Sequence, residues 1–373
     1  MRIGSDCSLS EQGPGWLFVP DKHDSEASRE TEDEESVVES MSNASINHSV
    51  ESSTSPSSGG SNHIADLRFT GPERDNLRLM HHYTIHTSKT IRDITIPKHE
   101  DQSLWEAWAP ELAMEHDFLL HGLLSISALH LSLCGTDPRE QKRMTVTAIR
   151  HHNRAVALFR LHLDHMPATD HDAVFAMFCV VVLYSFGLHR SEGTPVERIH
   201  QVLTLLRGSM TIAKGDYERM RRSRWSGMRP PLHLDLETKL PDEMEDAISA
   251  LRRRAGPAAS VSTEEKETGE EAAYREAIET LRYNLIISDI SPFTAPTLTW
   301  FPMASPAGYW DLLRAGRPLA LGIIANYAVI LHRQRSNIWM RDWGKEVVDA
   351  VREALPADWQ ECIAWADREV ERE

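Results

Sequence analysis

The chain has 373 residues and a formal net charge of −16, from 40 basic and 56 acidic residues. This charge repels a phosphate backbone and argues against direct binding to DNA or RNA. The four cysteines lie far apart without a CxxC pair, which argues against a disulfide framework and a zinc knuckle. No early apolar run is typical of a secretory signal, so we expect a reducing, intracellular compartment.

The first 66 residues are rich in Ser, Glu and Asp and poor in apolar side chains, as in "SEASRETEDEESVVES" and "ESSTSPSSGGS". Such a segment cannot bury enough surface to offset the entropy lost on ordering. We therefore predict a disordered acidic tail over residues 1–66 and a folded domain over residues 67–373.

The stretch "LRLMHHYTIHTSKT" begins the predicted domain with a helical pattern. Its apolar and small residues recur at spacings of three and four: Leu77, Met80, Thr84, Thr87 and Ile91. His82 and His86 lie on the opposite side, where a pair at this spacing can chelate zinc. The zinc-protease pattern requires Glu after the first His, and Tyr83 stands there. Surface or second-interface histidines are therefore the favoured interpretation, with a zinc pair as the alternative.

Three long helices are predicted next. Asp117 can cap the helix that contains "FLLHGLLSISALHLSLC", and Asp137-Pro138 opens a helix to about His165. The stripe of this second helix is apolar except for His152, for which a buried neutral ring is favoured over a ligand contact. The apolar run from Ala173 to Leu188 has 16 residues, fewer than the roughly 20 that span a bilayer. It predicts a buried core helix, and we expect no membrane span.

Further helices follow in the second half. Thr194-Pro195 opens one, "PDEMEDAISALRRR" and about Glu271–Ile287 predict two more, and "PLALGIIANYAVILH" is apolar almost all round. Trp339 and Trp343, four residues apart, should share a helix face. Because strand-like alternation is nearly absent, the fold class is all-α, with packed antiparallel helices joined by short loops.

Five arginines cluster in a loop: Arg219, Arg221, Arg222, Arg224 and Arg229. A cluster of this kind can be a nuclear-import patch, an anion site or simply a solvated loop. The sequence alone leaves these alternatives open.

The chain has no GxSxG, phosphate-loop, GxGxxG or EF-hand motif, so an enzymatic function would rest on histidines. In that alternative His82, His86 or His152 would have metal or acid–base roles. We do not expect an enzyme, and we assign no catalytic residue, metal ligand, DNA-binding residue or cofactor.

Four stretches in order carry a resemblance: "LMHHYTIHTSKT", "LWEAWAPELAMEHDFLLHGLLSISALHLS", "AIRHHNRAVALFR" and "AVFAMFCVVVLYSFG". They resemble the regulatory region of fungal binuclear zinc-cluster transcription factors, in the branch of the sterol-uptake regulators. The stretch from Tyr309 to Pro356 is similar to the end of that region.

The resemblance implies an all-helical, nuclear, ligand-sensing and partner-binding domain that controls transcription by RNA polymerase II. The zinc cluster of the family needs six cysteines ahead of an acidic linker, whereas only Cys7 precedes the linker here. Direct DNA binding is therefore not carried over. Either an upstream segment supplies the cluster, or the domain acts without it.

We predict a sensor of a hydrophobic, sterol-like molecule, with the transcription machinery or a DNA-binding protein as its partner. A protein-interaction scaffold without a ligand is the alternative, and a homodimer is left open. Flexible Met and aromatic side chains suit a ligand wall. The candidate ligand-binding residues are Met177, Phe178, Tyr327, Trp339 and Trp343.

Overall fold

In the computed structural model, every regular element of the described residues is a helix, which confirms the all-α class. The described residues are 70–96, 103–163, 170–188, 193–214, 223–228, 238–256, 269–290 and 295–372. The described residues from Leu79 onwards belong to one compact unit. The tail predicted over residues 1–66 and its boundary lie outside the described residues.

The first part of the fold is a series of short helices. Helix α1 covers Gly71–His82 and α2 covers Ser88–Thr95, with a π-helical turn at Tyr83–Thr87 between them. A second π-helical turn, Leu104–Trp108, leads into α3, Ala109–Glu115.

The apolar stripe predicted for this region is partly wrong. Leu77 is 56% exposed, whereas Leu79 and Tyr83 are buried with Thr87 and Ile91. These buried residues are spaced by four throughout. A π-helical turn is wider than an α-helical turn, so it keeps residues four apart on one face.

Three long helices pack together in the next part. They are α4 (Asp117–Cys134), α5 (Pro138–Leu163) and α6 (His171–Gly187), and α4 packs against both others. The start of α5 is confirmed, because Asp137 Oδ1 accepts a hydrogen bond from the backbone N–H of Arg139 at 3.0 Å. The cap predicted for α4 is wrong: His116, in an extended conformation, precedes the helix, and no side chain caps it.

Helix α4 is the one helix of the described residues that is long and apolar enough to cross a membrane, and 67% of it is buried inside the fold. Core helices have the same length and composition. The burial of α4 against α5 and α6 accounts for its apolar sequence.

Helix α7, Pro195–Lys214, begins with a capping box. The backbone N–H of Thr194 donates to Glu197 Oε2 at 2.7 Å, and the N–H of Glu197 donates to Thr194 Oγ1 at 3.2 Å. This confirms the predicted start of the helix. A 3₁₀-helix, Arg224–Met228, follows.

The remaining helices of the middle region confirm two predictions. Helix α8 covers Asp242–Ala255 and α9 covers Gly269–Ile290, and the two pack against each other.

The final part surrounds one fully buried helix. Helices α10 (Ala295–Ala304) and α11 (Ala307–Arg314) precede α12 (Pro318–Arg333), in which every residue from Leu319 to His332 is buried. This burial explains why α12 is apolar almost all round.

Helix α13 (Trp343–Ala354), a 3₁₀-helix (Ala357–Ile363) and α14 (Ala364–Glu371) complete the fold. The prediction that Trp339 and Trp343 share a helix face is wrong. Trp339 lies in the turns after α12, and α13 begins at Trp343.

Candidate ligand site

An apolar cavity of about 90 Å³ lies among α2, α6, α7, α10 and the turn before α13. Its lining residues are Ile94, Thr95, Phe175, Phe178, Cys179, Val182, Leu183, Phe186, Leu206, Ala295, Leu298, Thr299 and Met340. Five elements that are distant in sequence therefore meet at one apolar space. This is the candidate site for a hydrophobic ligand.

Helix α6 supplies the largest part of the wall. Its lining residues are Phe175, Phe178, Cys179, Val182, Leu183 and Phe186. Their spacings of three and four place all six on one face of the helix. Sequence reasoning missed five of these six, although the spacing was visible, because α6 is apolar on every side and its pattern marks no particular face.

Few polar groups reach the cavity. The hydroxyl of Thr95 donates to the carbonyl of Ile91 at 2.7 Å and accepts from Trp105 Nε1 at 2.9 Å. Burial raises the pKa of the Cys179 thiol to about 12, so this thiol is neutral at pH 7. The cavity is thus uncharged as well as apolar, which disfavours a charged ligand.

One of the five predicted ligand-binding residues, Phe178, lines the cavity. Its ring is half-buried and packs edge-on against Phe159, with ring centroids 5.2 Å apart. Met177 is fully buried and faces α4 instead, where its sulfur would lie 2.9 Å from a Cβ added to Gly122.

Tyr327 and Trp343 lie directly behind the lining. The hydroxyl of Tyr327 donates to the carbonyl of Leu298 at 2.7 Å, and Trp343 Nε1 donates to the carbonyl of Phe186 at 2.9 Å. Leu298 and Phe186 both line the cavity. These two aromatic residues therefore position the wall without forming it.

Trp339 contacts residues next to the cavity lining but does not line the cavity itself. Its Nε1 donates to Thr90 Oγ1 at 2.9 Å, and its ring packs so closely on Gly187 that an added Cβ there would lie 2.8 Å from it. The five predicted residues therefore lie at different depths around the cavity, and ligand contact by any of them stays a prediction.

One histidine of the opening stretch, the half-buried His82, contacts a buried histidine of α4, whereas His81 and His86 are exposed. His82 Nε2 lies 3.3 Å from His130 Nδ1, which lies 2.9 Å from Thr87 Oγ1. Burial, with a smaller contribution from neighbouring histidines, lowers the pKa of both His82 and His130 to about 4. Both rings are therefore neutral at pH 7.

Two further histidines contact other helices. His121 Nδ1 of α4 lies 2.9 Å from His151 Nδ1 of α5, so His121 and His130 point to different neighbours. The ring of His152 is buried and stacks on Tyr184, with centroids 3.7 Å apart. This position agrees with the prediction of a buried His152.

Of the arginine cluster, only Arg224 lies within the described residues. Its guanidinium lies 5.3 Å from the centroid of the Trp108 ring, in cation–π contact. The functional alternatives for the cluster stay open.

Residues 78–223 match the family described as the fungal specific transcription factor domain. Sterol uptake control protein 2 of Candida albicans is 33% identical over 112 residues, which are 30% of this chain and 14% of that protein. Its namesake in Saccharomyces cerevisiae is 27% identical over 169 residues, 44% of this chain and 17% of that protein.

A longer match is the Zn(2)-C6 fungal-type transcription factor afumD of Aspergillus fumigatus, 26% identical over 277 residues, 71% of this chain and 70% of that protein. The domain match and these relatives show that this chain is similar to fungal transcription factors over residues 78–223 and beyond. The chain spans only 14% of one sterol uptake control protein and 17% of the other.

Proposed function

We propose that the chain is the regulatory part of a nuclear transcription regulator that senses a small hydrophobic molecule and controls transcription by RNA polymerase II. Similarity to the fungal specific transcription factor domain and to fungal transcription factors supports the regulatory role. The apolar cavity carries the proposal of ligand sensing, because buried apolar space with few polar groups is typical of lipid-binding sites. Two relatives named for control of sterol uptake favour a sterol-like ligand.

The cavity is too small for a sterol-sized ligand unless its wall moves. Its volume of about 90 Å³ is well below the roughly 300–1,000 Å³ of pockets for drug-sized ligands. A sterol-sized molecule therefore requires side chains of the wall to move. Phe178 is the first candidate, because it is already half-buried at the margin. In this proposal the ligand selects an open form of the domain.

Phe186 would transmit that opening to the C-terminal helices. It lines the cavity, its ring packs edge-on against Trp343 at 5.6 Å between centroids, and its carbonyl accepts the Trp343 Nε1 hydrogen bond. Trp343 is the first residue of α13, which packs on the buried α12. A shift of Phe186 would therefore move Trp343 and the start of α13. A transcriptional partner that binds α13 would respond to this movement.

Filling the cavity tests the proposal. The purified chain is titrated with a fluorescent sterol, and binding is compared with that of a Cys179→Phe variant. A phenyl group at residue 179 would occupy much of the 90 Å³, so we expect the sterol affinity to fall at least about tenfold.

Cys134→Phe is the matched control, because Cys134 is exposed and does not line the cavity. It should keep the wild-type affinity. Unchanged sterol binding by a folded Cys179→Phe variant would contradict the proposal. Circular dichroism confirms that both variants retain their helices.

A second candidate function is a protein-interaction scaffold without a ligand, and the small volume of the cavity favours it. An engineered cavity that binds benzene has about 150 Å³, compared with about 90 Å³ here. In that case the wild-type chain binds no sterol, and Cys179→Phe leaves its thermal midpoint unchanged or raises it.

A further inference from the structure

Three potential metal ligands converge where α4 and α6 begin and α5 ends. His116 immediately precedes α4, His162 is the penultimate residue of α5, and Asp170 immediately precedes α6. One ligand atom from each side chain lies within 4.8 Å of the others. Sequence analysis assigned no metal ligand here, because the three residues belong to separate elements and form no spaced motif.

His162 and Asp170 lie in direct contact. His162 Nε2 is 3.1 Å from Asp170 Oδ2, in a geometry that forms no hydrogen bond. The carboxylate is thus the nearest polar partner of a shielded nitrogen whose hydrogen-bonding capacity is not met. A cation between the two groups would bind the lone pair of the nitrogen and the charge of the carboxylate together.

The three side chains suit a divalent transition metal. Two imidazole nitrogens and one carboxylate oxygen are a ligand set found in zinc sites, whereas Mg²⁺ and Ca²⁺ prefer oxygen ligands. Zinc bonds of about 2.1 Å place tetrahedral ligand atoms about 3.4 Å apart. His162 and Asp170 already meet this spacing, so small side-chain rotations would close the remaining distances.

An apolar wall borders the cluster. The Phe118 ring lies 5.4 Å from the His116 ring and 4.8 Å from the His162 ring between centroids, and Phe118 is only 3% exposed. Such a wall limits access of water and strengthens the attraction between an ion and its ligands.

We propose that His116, His162 and Asp170 form a zinc-binding site that joins the start of α4, the end of α5 and the start of α6. The three ligands leave one tetrahedral position for water. The role is structural: a bound ion would stabilise this corner of the fold. The proposal does not depend on sterol sensing.

Zinc titration of the full chain, stripped of metal with a chelator and dialysed, tests the site. We expect one Zn²⁺ per chain by calorimetry and a rise in the thermal midpoint, because a ligand that binds only the folded state stabilises it. Mg²⁺ at the same concentration should produce neither effect.

Substitution of the ligands separates this site from the other histidines. We expect His162→Gln and His116→Gln each to weaken zinc binding at least about tenfold. The control is the double variant His82→Gln/His86→Gln, which removes the pair at zinc-chelating spacing in the opening stretch and should bind zinc as the wild type does.

Several results would overturn the proposal: no stoichiometric zinc on the wild-type chain, wild-type affinity in folded His162→Gln and His116→Gln variants, or loss of the zinc site in the His82→Gln/His86→Gln control. Circular dichroism identifies folded variants. Either single variant can decide the outcome if the other fails to fold.

Discussion

Phe301 is a fully buried aromatic residue whose truncation is expected to be costly. It has no exposed surface, and its ring centroid lies 5.0 Å from that of Tyr327, 5.6 Å from Tyr309 and 5.9 Å from Trp310. Phe301→Ala would leave a void that these large rings cannot fill by small shifts. We expect a loss of about 3 to 5 kcal/mol in the free energy of unfolding, measured with urea.

Phe178→Ala, a truncation at the margin of the cavity, is the variant to compare with Phe301→Ala. The sequence predicted a buried core helix around Phe178, but the side chain of Phe178 is only half-buried. Because part of the ring already lacks packing partners, we expect a loss of only about 1 to 2 kcal/mol. Equal losses for the two variants would show that Phe178 is packed as tightly as Phe301.

Side-chain direction was the part of the site that the sequence could not supply. The run around Met177 and Phe178 is apolar at nearly every position. No alternation of apolar and polar residues therefore indicates which face of the helix contacts which neighbour. Successive residues of a helix point about 100° apart. Met177 therefore packs on α4 while Phe178 reaches the cavity.

At the scale of elements, Gly344 sets the distance between α12 and α13. A Cβ added there would lie 2.6 Å from the carbonyl oxygen of Ala328 and 2.5 Å from the Cβ of His332. Two helices would have to separate, which outweighs the gain of roughly 1 kcal/mol in helix propensity from Gly to Ala. We expect Gly344→Ala to destabilise the domain by about 2 kcal/mol or more in urea unfolding.

Gly208 is the matched control for that prediction. It lies within α7, and among the described residues no atom apart from its chain neighbours and the nearby backbone of its own helix lies within 4 Å of a Cβ added to it. Gly208→Ala should therefore be neutral or stabilising, by up to about 1 kcal/mol. If Gly344→Ala behaved in the same way, the close approach of α12 and α13 would be incorrect.

Helix starts were predictable where local chemistry determines them. The capping hydrogen bonds at the starts of α5 and α7 are made by Asp137 and by the pair Thr194 and Glu197. These side chains lie within three residues of the helix start, so the local sequence contains the whole signal. The turn that contains Trp339 depends on distant partners instead. Asn337 Nδ2 donates to the carbonyl of Thr90 at 2.7 Å, across 247 residues of sequence, and no local pattern predicts that contact.

At the scale of the whole molecule, buried neutral histidines should make stability depend on pH. The pKa values of His82, His130 and His151 are each lowered to about 4 from an ordinary value of 6.5, chiefly by burial. Below pH 6.5 the unfolded chain binds protons at these rings, while the folded chain does so only near pH 4. Stability is therefore complete above pH 6.5 and is lost as the pH falls from 6.5 towards 4.

His130→Gln tests that dependence, because glutamine is uncharged throughout and can still bond to Thr87. Each proton taken up only by the unfolded state contributes at most about 1.4 kcal/mol per pH unit to the slope. We expect the variant to lose less stability than the wild type between pH 6.5 and 5, measured by urea unfolding at several pH values. If His130→Gln kept the wild-type slope, His130 would already be protonated in the folded chain at pH 5, and its hydrogen bond to Thr87 would have to use a charged ring.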